Sequence, residues 1–170
     1  MEESGGLGMK GIQTPPELYA HAIAIEQEAA ARYAELAERM ADLDNGDVAE
    51  IFWMLARLEG EHLQTLKSRT EGVALPRIDA GQYQWIYADA PETAAREWLF
   101  RLLTPRQALL IALEAEKRAQ AFFERVFITS QDPGLRMLAK EMALEETEHI
   151  DMVEHLLERN PEPYKDWLST

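Results

Sequence analysis

The sequence predicts an all-α fold, a four-helix bundle built from two antiparallel hairpins joined by a long crossover. Three observations carry that prediction. Helix-start signals recur four times along the 170 residues. Behind each one, apolar residues return every three or four positions, the period of a helix face. Two of the three links are short, while the middle one, residues 70–103, is long. Short turns make consecutive helices antiparallel neighbours, and a long link lets the chain return along the bundle before the third helix begins.

In order along the chain, residues 1–13 are Gly-rich, lack an apolar signal core and are expected to be flexible. Thr14-Pro15-Pro16-Glu17 combines an N-cap, a proline at the first helical position and a capping-box acid, opening a helix over about 15–41. Asp44-Asn45-Gly46 supplies a turn. Asp47 with Glu50 forms a looser cap for a second helix over about 48–69. In the crossover, Pro76, Gly81 and Pro91 mark irregular chain, and Glu92 to Leu103 is expected to form a short helix carrying Trp98, Leu99, Phe100 and Leu102. Thr104-Pro105-Arg106-Gln107 repeats the first start signal and opens a third helix over about 105–128. Ser130-Gln131-Asp132-Pro133 makes the next turn, and Asp132 caps a fourth helix over about 133–159. Asn160-Pro161 ends it, so the bundle spans 14–160, and the tail 161–170 carries Trp167 and Leu168, which are expected to dock on the body.

Composition narrows the function classes. The formal charge is −14, from 17 basic and 31 acidic residues. Such a surface repels phosphate backbones and anionic lipid heads, so nucleic acid and membrane are poor partners. There is no cysteine, which excludes disulfides, thiolate iron centres, Cys-ligated zinc and a cysteine nucleophile. No apolar run approaches the roughly 20 residues of a membrane span. A cytoplasmic location is the expectation.

Within this acidic chain, four glutamates stand out by position. Glu26 and Glu116 each follow their Thr cap by 12 residues, Glu59 follows Asp47 by 12, and Glu146 follows Asp132 by 14. At about 1.5 Å per residue each lies roughly 18–21 Å along its helix, near the midpoint. Midpoints of antiparallel helices meet at one level. The same-face neighbours are mostly apolar: Tyr19, Ala22, Ala29 and Tyr33 around Glu26; Phe52, Leu55, Leu63 and Leu66 around Glu59. Leu109, Ala112, Ala119 and Phe123 surround Glu116, with Gln120 the one polar exception, and Ala139, Met142, Ile150 and Val153 surround Glu146. His62 and His149 follow Glu59 and Glu146 by three positions, about 60° around the helix, so each Glu-x-x-His pair can reach one metal ion.

Burying one ionised carboxylate without a partner costs several kcal/mol, and four at one level also repel one another. No lysine or arginine occupies these stripes. Two divalent cations would neutralise the four acids, and the histidines would add neutral nitrogen donors. The bland alternative is an apolar bundle with partly protonated core acids. A single Glu-x-x-His is weak among 31 acids; two motifs, two partner glutamates, a shared depth and apolar surroundings together favour a dinuclear metal site. His21 and His155 lack the motif and are expected at the surface. Glu28, Glu61, Glu114, Glu145 and Glu148 turn to other faces and are expected to be solvated. Tyr33 and Phe123, each seven residues after a glutamate, are expected in the core, with Tyr33 also able to hydrogen-bond a ligand carboxylate.

The segments Ile25-Glu26-Gln27-Glu28-Ala29-Ala30-Ala31-Arg32-Tyr33 with Glu59-Gly60-Glu61-His62, then Ala115-Glu116-Lys117-Arg118-Ala119-Gln120-Ala121-Phe122-Phe123 with Glu146-Thr147-Glu148-His149, resemble the ferritin-like, rubrerythrin-type diiron proteins. The resemblance covers about 15–159. It implies a ferritin-like four-helix bundle holding two iron ions, with Glu59 and Glu146 bridging, Glu26 and Glu116 terminal, and His62 and His149 each giving one nitrogen. It also implies a homodimer. Two departures stand against the family pattern. Full-length rubrerythrins carry a cysteine-ligated rubredoxin domain, so here electrons must come from an external donor. True rubrerythrins add a glutamate one turn after the third-helix ligand, where this chain has Ala119, and Phe123 lacks a tyrosine hydroxyl.

Carboxylate and imidazole ligands suit iron or manganese and do not exclude zinc. Six ligands shared by two metals leave open positions for O₂ or peroxide. The expected function is a diiron oxidoreductase reducing peroxide or O₂. Iron binding with ferroxidation, or a diiron oxygenase acting on a small apolar substrate, are the alternatives.

Overall fold

The structure, a computed structural model, describes residues 11–78 and 102–161. Four helices form it: α1 (Pro15–Asp42), α2 (Gly46–Arg69), α3 (Pro105–Thr129) and α4 (Pro133–Arg159). No strand occurs among the described residues. The short helix expected over Glu92 to Leu103, with Trp98, falls almost wholly outside the described residues, as does the tail carrying Trp167 and Leu168.

The helix starts follow from their caps. Thr14 and Glu17 close a reciprocal capping box on α1, and Thr104 and Gln107 do the same on α3. Asp132 accepts a 2.6 Å hydrogen bond from the Leu135 backbone N–H and so caps α4. The start of α2 differs from expectation. It begins at Gly46, so Asp47 lies inside the first turn, where its charge complements the helix dipole, and Asn45 holds the cap position without a side-chain cap bond. The Asn45 amide is used elsewhere, donating to the Leu103 carbonyl at 2.9 Å. The preceding turn places Asp44 at φ 57°, a left-handed conformation that a short polar side chain tolerates.

These end contacts set the topology. The Asn45–Leu103 bond brings the starts of α2 and α3 to the same end of the bundle. Arg106, in the first turn of α3, donates to the carbonyls of Leu157 and Asn160 at the end of α4. Arg69, at the end of α2, pairs with Glu141 and Glu145 in the first half of α4. Therefore α1 and α4 run parallel, α2 and α3 run parallel, and the crossover spans the bundle's length. The closest packing lies within each hairpin, α1 on α2 and α3 on α4.

The core is split in two. One apolar cluster fills the end where α2 and α3 begin, with Tyr33, Met40, Val48, Phe52, Leu55 and Leu109 fully buried. A second fills the other end, around Leu18, Ile25, Leu66, Phe123, Leu135 and Met142. Between the two clusters, at the middle of every helix, sits a layer of charged residues.

Candidate metal centre

That layer contains Glu26, Glu59, Glu116 and Glu146, one from each helix, at 5%, 3%, 4% and 3% exposure. Burying four carboxylates this completely is costly unless protons or cations compensate. His149 is buried with them, and His62 is half-buried beside it. The structure thus brings together all six residues singled out by spacing.

His149 is the hub. Its Nδ1 lies 3.2 Å from Glu116 Oε2, 3.5 Å from Glu146 Oε2 and 3.7 Å from Glu59 Oε1. Its Nε2 lies 3.0 Å from Nε2 of His62, with the two rings nearly perpendicular. One of these Nε2 atoms must donate to the other. Tyr33, from α1, donates its hydroxyl to Glu116 Oε1 at 3.0 Å. Glu26 shares a hydrogen bond with Glu59, yet Glu26 Oε2 is buried without a hydrogen-bond partner. One atom each from Glu59, Glu116 and His149 lie within 4.8 Å of one another, a donor cluster that could hold a metal ion.

Electrostatics follow from this crowding. Burial raises the Glu59 carboxyl well above the ordinary carboxylate range, and the charges of Glu116 and Glu26 raise it further. Burial also lifts Glu146 to about 8, although its hydrogen bond to His149 pulls the other way. Glu26 is raised by burial, partly offset by its bond to Glu59 and by the two histidines. Burial alone would lower His149, but its bonds to Glu116 and Glu146 outweigh that and push it up to about 10. Burial, then the charges of Glu116 and Glu59, raise the Tyr33 phenol well above its usual value, so it remains a donor.

The donor set therefore fits a metal site. Without metal, buried acids must hold protons to coexist, and one carboxylate oxygen is left without any partner. Oxygen and imidazole nitrogen donors at this density match iron or manganese chemistry and also admit zinc.

Several neighbours were less legible. Gln120 donates to Thr147 Oγ1 at 2.9 Å, linking α3 to α4 beside Glu146, and Thr147 donates to the Ala143 carbonyl. Its only sequence signal was a lone polar residue on the α3 stripe. His21, expected at the surface, is half-buried, its ring tilted against that of Phe122 on α3 with centroids 5.8 Å apart. His155 is exposed and sits 2.7 Å from the Asp151 carbonyl.

Fold and site define a four-helix bundle with a buried carboxylate–histidine layer across its waist. The sequence matches the family model described as Rubrerythrin over residues 17–157. The chain belongs to the rubrerythrin family, within the ferritin-like superfamily. Its structure is similar to the crystal structure of an uncharacterized conserved protein from Magnetospirillum magnetotacticum MS-1, at 34% identity and a TM-score of 0.70, covering 89% of this chain and 98% of that one. No curated protein matches the chain. Among the described residues, no helix is long and apolar enough to cross a membrane.

Proposed function

We propose that this protein is a non-haem diiron oxidoreductase of the rubrerythrin type, reducing peroxide or O₂ with electrons from an external donor. The observation that supports it best is the convergence of four buried carboxylates and two imidazoles in one layer between two apolar clusters. Glu26, Glu59, His62, Glu116, Glu146 and His149 are the proposed ligands. When bound, a pair of iron ions would supply two electrons at one place, the number that peroxide reduction requires.

The chain's own groups then have defined tasks. Glu59, Glu146 and His149 release protons on metal binding, because ligands must be deprotonated. Tyr33 holds Glu116 in place and keeps its hydroxyl proton. The apolar clusters on either side exclude water from the layer and keep its electrostatics strong. Lacking cysteine, the chain cannot carry a thiolate electron-transfer site of its own. We further assign it to the cytoplasm and to a homodimer, the latter on family resemblance alone.

The test is elemental analysis with iron titration of wild type and Glu59→Ala. About two metals per chain are expected in wild type, with a sharp fall in the variant because a bridging ligand serves both ions. Unchanged stoichiometry refutes the ligand assignment. An unchanged optical spectrum when peroxide is added to the ferrous protein refutes the redox assignment.

A further inference from the structure

We infer that the two metal positions are unequal, the half built on Glu116, Glu59 and His149 taking the first ion and the half that depends on Glu26 and His62 taking the second more weakly. This rests on the metal assignment above and extends it to the order of loading.

Two separate observations point the same way. The first is preassembly. Glu59, Glu116 and His149 already present one donor atom each within 4.8 Å of one another. Glu116 is held on Oε1 by the Tyr33 hydroxyl at 3.0 Å, while Oε2 faces His149 Nδ1 at 3.2 Å. Donors that are already ordered lose less freedom on binding, and hydrogen-bonded ligands hold metal more tightly.

The second observation is the missing counterpart on the other side. Tyr33 stands seven residues after Glu26, and Phe123 stands seven after Glu116. Tyr33 reaches across to Glu116, the glutamate of the opposite hairpin. Phe123 packs in one apolar cluster with Ala22 and Ile25, which flank Glu26 on α1, but a phenyl ring has no hydroxyl to donate. Accordingly Glu26 Oε2 is buried and has no hydrogen-bond partner. The histidines share the asymmetry, His149 being buried at 6% exposure and His62 half-buried. Glu26 is held only through its bond to Glu59, and no group fixes its free oxygen in advance as Tyr33 fixes Glu116.

The experiment is a calorimetric titration of the chelator-stripped full chain with Co(II), followed in parallel by visible absorption. Two binding steps are expected, the first at least ~10-fold tighter. Tyr33→Phe, a near-isosteric exchange, should weaken the first step by ~10–100-fold and leave the second nearly unchanged. Glu26→Ala should keep the tight step and lose the weak one. Circular dichroism confirms that each variant remains helical. Two equal steps in wild type, a Tyr33→Phe effect on both steps or on neither, or loss of the tight step in Glu26→Ala overturns the inference while leaving the metal assignment intact. Failure of wild type to bind a second ion overturns both.

Discussion

The metal-free protein should lose stability as pH rises through neutrality. In the folded state Glu146 titrates at about 8 against an ordinary 4.5, and His149 at about 10 against an ordinary 6.5. Between pH 4.5 and 8 the folded chain holds a Glu146 proton that the unfolded chain has released, and between 6.5 and 10 it holds one on His149. The unfolded state thus binds fewer protons, so stability is greatest at the acid side of each window and is lost as pH climbs through the folded pKa. The two windows overlap from pH 6.5 to 8. Each excess proton is worth about 1.4 kcal/mol per pH unit. Glu59, also raised well above the ordinary carboxylate range, adds to this, so the loss should be at least one proton, about 1.4 kcal/mol per unit. At about 2–4 °C per kcal/mol for a chain of this size, Tm should fall by at least about 3 °C per pH unit. Thermal melts of chelator-treated protein by circular dichroism, at the two ends of the overlap, measure this. A Tm that is flat or rising there refutes the reasoning. Metal loading should invert the trend: because binding expels the protons, the metal-dependent gain in Tm should grow with pH.

Two further outcomes test the scaffold. Phe52 is fully buried against Tyr33, with ring centroids 6.1 Å apart, so Phe52→Ala should destabilise by about 3–5 kcal/mol in denaturant titration; a loss under about 1 kcal/mol would contradict the packing of that cluster. Arg69 is partly solvated while pairing with Glu141 and Glu145, so Arg69→Ala should cost under about 1 kcal/mol by the same assay, and a large loss would mean that these pairs hold the hairpins together.

How much of this was legible depends on whether the physics is local. The caps at Thr14, Thr104 and Asp132 act within one turn, so their residue types alone announce three helix starts. Asp47 misled because Asn45, the natural cap, is bonded to Leu103, 58 positions away. His21 misled because its partner Phe122 lies on another helix. The convergence of the six donors was readable because helical rise turns sequence spacing into depth, and an antiparallel bundle brings equal depths together.

Composition, period and caps thus determined by themselves the four bundle helices of the described residues, where three of them would begin, and that an acid would interrupt the buried stripe of each. Only the tertiary structure decided which oxygens meet which nitrogens: that His149 faces three glutamates, that Tyr33 serves the opposite hairpin, and that Glu26 keeps an oxygen without a partner. Those outcomes turn on differences of an ångström between side chains from separate helices, and nothing in the order of residues along one chain segment encodes a distance to another.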